Sequence, residues 1–121
     1  MDLSFENLEV WRDAMDLAVD IYRVTESFPK EEQFGVKSQL RRAATSMALN
    51  IAEGKGRYHD KEFVQFLYFA RGSLYETITL LKLAMRLSYI TQNQSHHALQ
   101  SCFNIMSKLS GLINSLKGLR P

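Results

Sequence analysis

The feature that most limits how this chain folds is the stretch from Asp60 to Ser88. There Phe63, Leu67, Ala70, Leu74, Thr77, Leu81, Ala84 and Ser88 recur at alternating spacings of four and three residues. That rhythm puts all of them on one stripe of an α-helix and keeps heptad spacing for about four heptads. Asp60 is suited to be its N-cap. Gly72 and Ser73 lie mid-helix, where Gly costs about 1 kcal/mol against Ala, so either a close approach of another helix or a kink is expected there. Phe66, Tyr68, Phe69 and Tyr75 add apolar surface beyond one seam, as in a helix covered on more than one side.

Three further segments carry the same periodicity. Leu8, Trp11, Met15, Ala18, Tyr22 and Thr25 mark a first helix from about Leu8 to Glu26, with Val10, Leu17 and Ile21 outside that stripe. Pro29 closes it. The connector Phe28 to Gly35 brings Glu31 and Glu32 near the positive end of the next helix. In that second helix, which runs to about Glu53, Leu40, Ala43, Ala44, Met47 and Ile51 form the core stripe. A polar stripe lies opposite: Arg42 is within reach of Ser46, and Asn50 of Glu53, as a hydrogen-bonded relay, a solvated face or a subunit contact. Gly54 and Gly56 are read as left-handed positions that end the helix. Thr91 with Gln94 makes a capping-box pattern for a fourth helix with Leu99, Cys102, Met106, Leu109, Ile113 and Leu116, stopped by Gly118. With no alternating β-branched runs, the expected fold is all-α: an antiparallel up-down four-helix bundle, one domain over residues 1–121.

The 121 residues suffice for a self-contained core. The single Cys102 has no partner for an internal disulfide, which fits a reducing compartment. The start, MDLSFENLEVW, reads as neither signal peptide nor membrane span. A cytoplasmic protein without a membrane partner is the expectation. Net charge is +2 but uneven: residues 1 to 33 hold nine acids and three bases, and the remainder four acids and twelve bases. Such asymmetry favours head-to-tail association or attraction of polyanions, unless the first-helix carboxylates face bases of neighbouring helices.

Catalytic and metal chemistry find little support. A di-metal bundle site needs Glu-x-x-His motifs, and the sequence has none. His96 and His97 are adjacent and diverge by about 100° on a helix. Asp13, Asp16 and Asp20 share a helix face, but a hard cation is usually wrapped by a loop. Cys102 sits on an apolar stripe, which raises a thiol's pKa. GKGR follows a helix, unlike a phosphate-cradling loop that precedes one. No catalytic residue, metal ligand or cofactor is assigned. The remaining signal is basic: Lys37, Arg41, Arg42, Lys55, Arg57 and Lys61, with Tyr58 and His59 among them. Such cations neutralise phosphates, and an aromatic stacks on an unpaired base.

The segments FENLEVWRDAMDLAVDIY, FPKEEQFGVKSQLRRAATSMALNIAEG and KEFVQFLYFARGSLYE resemble the four-helix-bundle proteins named for intervening sequences of bacterial 23S ribosomal RNA genes. The resemblance runs from Phe5 to about Tyr89. It implies a cytosolic bundle that assembles into a homopentameric ring. The segments are also similar to the accessory protein of diversity-generating retroelements, which implies nucleic acid and a reverse transcriptase as partners. Its characteristic positions fall here on Arg41, Arg42, Asn50, Glu53, Gly54, Gly72, Ser73 and Glu76. The expected function is therefore a non-enzymatic homo-oligomer associated with RNA or with a nucleic-acid enzyme. The alternative is an assembly or scaffold protein without a nucleic-acid role, held together by Arg42, Ser46, Asn50, Glu53, Gly72, Ser73 and Glu76.

Overall fold

The computed structural model describes residues 1–118. Four helices follow one another: α1 (Glu9–Thr25), α2 (Val36–Lys55), α3 (Asp60–Arg86) and α4 (Gln92–Leu116), with 3-10 turns at Ser4–Asn7 and Lys30–Glu32. Each helix packs against the next, and α4 closes back on α1, while the diagonal pairs α1/α3 and α2/α4 make no comparable approach. Short connections and this square of neighbours make the antiparallel up-down bundle expected from the periodicity.

The core consists of stripes the sequence marks on α2, α3 and α4. Leu40, Ala43, Ala44, Met47 and Ile51 of α2 are buried, as are Phe63, Leu67, Ala70, Leu74, Thr77, Leu81 and Ala84 of α3. On α4, Cys102, Leu109 and Ile113 are buried, whereas Leu99, Met106 and Leu116 are only partly covered. Thr91 and Gln94 form the full capping box at the start of α4, and Gly118 adopts φ +73° just past its end.

Helix α1 turns inward a side rotated from the one expected. Val10, Ala14, Leu17, Ala18, Ile21 and Thr25 are buried, while Met15 and Tyr22 stay 42% and 46% exposed. Ala18 and Thr25 of the expected stripe thus face the core, with Leu8 and Trp11 partly buried against it, but Val10, Leu17 and Ile21, read as lying outside that stripe, are core-facing in place of Met15 and Tyr22. Two apolar arcs with helical spacing share this helix, and the arc with slimmer side chains packs closer to α2 and α4.

Four local readings are also corrected. Gly54 is inside α2, and Gly56 caps it with φ −77°, so neither is left-handed. A Cβ on Gly54 would come within 2.7 Å of Phe66 Cβ and 2.9 Å of Phe63 Cδ1; its bare backbone lets α2 and α3 touch. Gly72 has no such neighbour within 4 Å among the described residues, so none of the four helices approaches it closely. His59, with extended backbone, takes the N-cap place of α3, and Asp60 is the first helical residue. Ser88 lies beyond α3, exposed, at φ 62°.

The two connections at one end of the bundle are clasped together. Tyr89 OH donates to Glu32 Oε2 at 2.7 Å, and Glu32 Oε1 accepts from the Val36 backbone N–H at 3.1 Å. Phe28 packs on the Tyr89 ring at 5.3 Å. Glu32 therefore caps α2, as an acid near a helix's positive end should. The Tyr89 hydroxyl and then the Val36 amide hold its carboxyl below the ordinary carboxylate range.

Candidate functional site

A groove runs between α1 and α2, outside the core. Phe5, Trp11, Met15, Val19 and Tyr22 form one side and Thr45, Ala48, Leu49 and Ala52 the other, around about 660 Å³. Alanines at 18, 48 and 52 keep its floor low. Leu49 is 62% exposed on its rim. Phe5 stands edge-on to Trp11 with ring centroids 5.1 Å apart, which fixes the indole at one end. This is the exposed arc of α1 facing the outer side of α2.

On the other flank of α2 the polar stripe meets α3. Ser73 Oγ donates to Ser46 Oγ at 2.9 Å, and Asn50 Nδ2 donates to the Ser46 carbonyl at 2.9 Å and to Ser46 Oγ at 3.1 Å. Ser46, Asn50 and Ser73 are thus brought together across the helix pair. Arg42 makes no bond to Ser46, nor Asn50 to Glu53, which is exposed. Arg42 and Glu76 instead line a shallow depression of about 360 Å³ with Gln39, Ala43 and Ser46. The Ser46–Asn50–Ser73 set stands in place of the expected relay.

The six bases do not form one patch. Lys37, Arg41 and Arg42 sit in the first turns of α2, and Lys55, Arg57 and Lys61 lie at its far end, Lys55 being about 20 Å from Arg41 and Arg42 and about 27 Å from Lys37 at 1.5 Å per residue. Arg41 is committed inside the fold. Its Nε donates to Thr25 Oγ1 at 2.8 Å and its Nη2 to the Tyr22 carbonyl at 3.0 Å, with the guanidinium 4.3 Å from the Tyr22 ring centroid. A cation on the last carbonyls of α1 meets their partial negative charge. Lys37 Nζ donates to Gln33. At the opposite end Arg57 lies over the Phe66 ring at 4.6 Å and Lys55 near that of Phe63 at 5.9 Å. Lys61 and Tyr58 are exposed, Tyr58 by 93%.

The acids of α1 are largely answered within the chain. Lys108 of α4 donates to Glu9 Oε1 at 2.7 Å and also to Asp13. These two bonds, Asp13's first, raise the Lys108 pKa above its ordinary value. Asp20 lies 3.8 Å from Arg23 and 4.0 Å from His97. Among the described residues no group of three or more His, Cys, Asp or Glu is placed to hold a metal ion, and no helix is long and apolar enough to cross a membrane. Burial pushes the Cys102 thiol up to about 12, which leaves it a core side chain.

The model of the 23S rRNA-intervening sequence proteins matches residues 6–111 of this sequence. The chain belongs to that family. Among solved structures it is similar to a protein of unknown function from the S23 ribosomal protein family of Bacteroides thetaiotaomicron VPI-5482. The identity is 26% and the TM-score 0.78, covering 86% of this chain and 97% of that one. No curated protein matches it. Membership in the 23S rRNA-intervening sequence family thus brings a fold and no assigned reaction. The groove was missed by sequence reasoning, although the two apolar arcs of α1 carried its signal.

Proposed function

We propose that the protein is a non-enzymatic homo-oligomer, a pentamer in keeping with its resemblance, whose α2–α3 turn contacts nucleic acid. The observation that carries the assembly is the groove. A bundle with a complete core still leaves Met15, Val19, Tyr22 and Leu49 each more than two-fifths exposed along one trough, and contiguous apolar surface of that kind marks an interaction site. The unactivated Cys102 thiol supports a non-enzymatic role. Light scattering of the purified chain tests it: a mass several times that of the monomer is expected, and a monomer at tens of micromolar refutes it.

The nucleic-acid contact is supported by Lys55, Arg57 and Lys61, which gather at one end with exposed Tyr58 and enter no ion pair among the described residues. Three phosphate contacts per subunit give a log–log salt slope of about −2 for a single strand, and more when several subunits engage. Fluorescence anisotropy with single-stranded RNA should show binding that weakens along that slope and is lost in Arg57→Glu/Lys61→Glu. Equal signals for wild type and variant at low salt refute it.

A further inference from the structure

The chain carries a second uncovered face, and we infer that it is the counterpart of the groove: the outer side of α3 in one copy seats in the α1–α2 groove of the next. This rests on the assembly reading above and specifies which surfaces meet. Along the solvent side of α3, Phe69, Tyr75 and Leu83 are 50%, 56% and 41% exposed. Gly72 lies between the first two, on the floor of a depression of about 330 Å³ with Tyr75, Glu76, Thr79 and Leu80.

Gly72 is the low point of this face. A glycine inside a helix costs about 1 kcal/mol against alanine. Gly54 offsets that cost by letting α3 close on α2, but a Cβ at Gly72 would meet nothing within 4 Å. Gly111 in α4 is open in the same way, so an uncrowded glycine alone marks no contact; Gly72 differs in the depression around it and in the exposed Phe69 and Tyr75 to either side. A protruding side chain such as Leu49, 62% exposed on the groove's rim, fits the depression, while Phe69 and Tyr75 fit the trough.

Charge favours the same pairing. The charged side chain lining the groove is the exposed Arg23, and the one lining the α3 depression is Glu76, which enters no ion pair among the described residues. Groove against groove would set two hollows together and leave α3 bare. A contact between two different faces is heterologous, so each copy offers both, and the series closes into a ring where the rotation per copy allows and otherwise extends as a filament.

Two variants test this. Met15→Glu charges the groove, and Gly72→Arg obstructs the α3 face; both positions are open to solvent, so the bundle tolerates each change. Each variant alone should lose the oligomer. Their equimolar mixture should form a species of twice the monomer mass and nothing larger, because one intact groove meets one intact α3 face. A mixture that stays monomeric, or a variant that keeps the wild-type mass, overturns the inference while the assembly stands. A monomeric wild type overturns both. Cross-linking supplies an independent readout on folded oligomers: Leu49→Cys mixed with Phe69→Cys should form a disulfide between unlike chains. Disulfides between two Leu49→Cys chains would overturn the heterologous contact, and buried Cys102 leaves the background silent.

Discussion

Replacing Gly54 by alanine sets helix propensity against packing, and the geometry decides the sign. Propensity alone favours the change by about 1 kcal/mol. The added methyl would stand 2.7 Å from Phe66 Cβ, 2.9 Å from Phe63 Cδ1 and 3.3 Å from the Phe63 carbonyl oxygen, where carbon atoms prefer about 3.5–4.0 Å. Phe66 Cβ and the Phe63 carbonyl are fixed to the α3 backbone, so relief needs α2 and α3 to part by about 1 Å. Overpacking of that kind costs about 3 kcal/mol, the upper end of its usual range, leaving a net loss of about 2 kcal/mol. The midpoint of thermal unfolding should fall by about 8 °C at about 4 °C per kcal/mol. Gly111→Ala is the control, since a Cβ there meets nothing within 4 Å and α4 should gain up to about 1 kcal/mol. Urea unfolding followed by circular dichroism at 222 nm, at matched protein concentration, compares the three chains. A Gly54→Ala protein as stable as Gly111→Ala would refute the reasoning.

Other consequences are equally measurable. With its thiol pushed up to about 12, Cys102 at pH 8 is thiolate in only about one molecule in ten thousand; Ellman's reagent should react slowly in the native protein and promptly in urea, and fast native reaction contradicts this. Glu32, held below the ordinary value of 4.5 chiefly by the Tyr89 hydroxyl, adds stability present above that value and lost as pH falls through its lower folded value. The stability gap between wild type and Glu32→Gln should therefore shrink from pH 7 to pH 3, and a pH-independent gap would contradict the assignment. Ser95 Oγ is buried without a hydrogen-bond partner among the described residues, so Ser95→Ala should raise stability by about 1 kcal/mol, and a lower urea midpoint would show that the hydroxyl is satisfied.

How much of this could be read from the chain depends on whether the signal is local. The stripes of α2 and of α3 as far as Ala84, the Thr91–Gln94 box and the Gly118 stop depend on neighbours a few residues away and stand as read, whereas Ser88, read as the end of the α3 stripe, lies beyond the helix. The inward side of α1 is another matter: Trp11–Met15–Tyr22 and Val10–Leu17–Ile21 have equally helical spacing, and only the shapes of α2 and α4 choose between them. Gly54 and Gly72 look alike in sequence, yet one is crowded by phenylalanines of α3 and the other open. The same holds for the candidate site. Lys37 and Lys55 belong to one basic run in sequence but lie at opposite ends of α2, and Arg41 turned inward because Thr25 and Tyr22, sixteen and nineteen residues earlier, offered it acceptors.

The clasp between Glu32 and Tyr89 joins groups 57 residues apart, across two intervening helices. Because α2 and α3 are antiparallel neighbours, the bond ties the start of one to the end of the other. The clasp therefore acts as a register lock: a slide of α3 along α2 by one turn, about 5.4 Å, would part the hydroxyl from the carboxylate and open the end of the molecule opposite Lys55, Arg57 and Lys61.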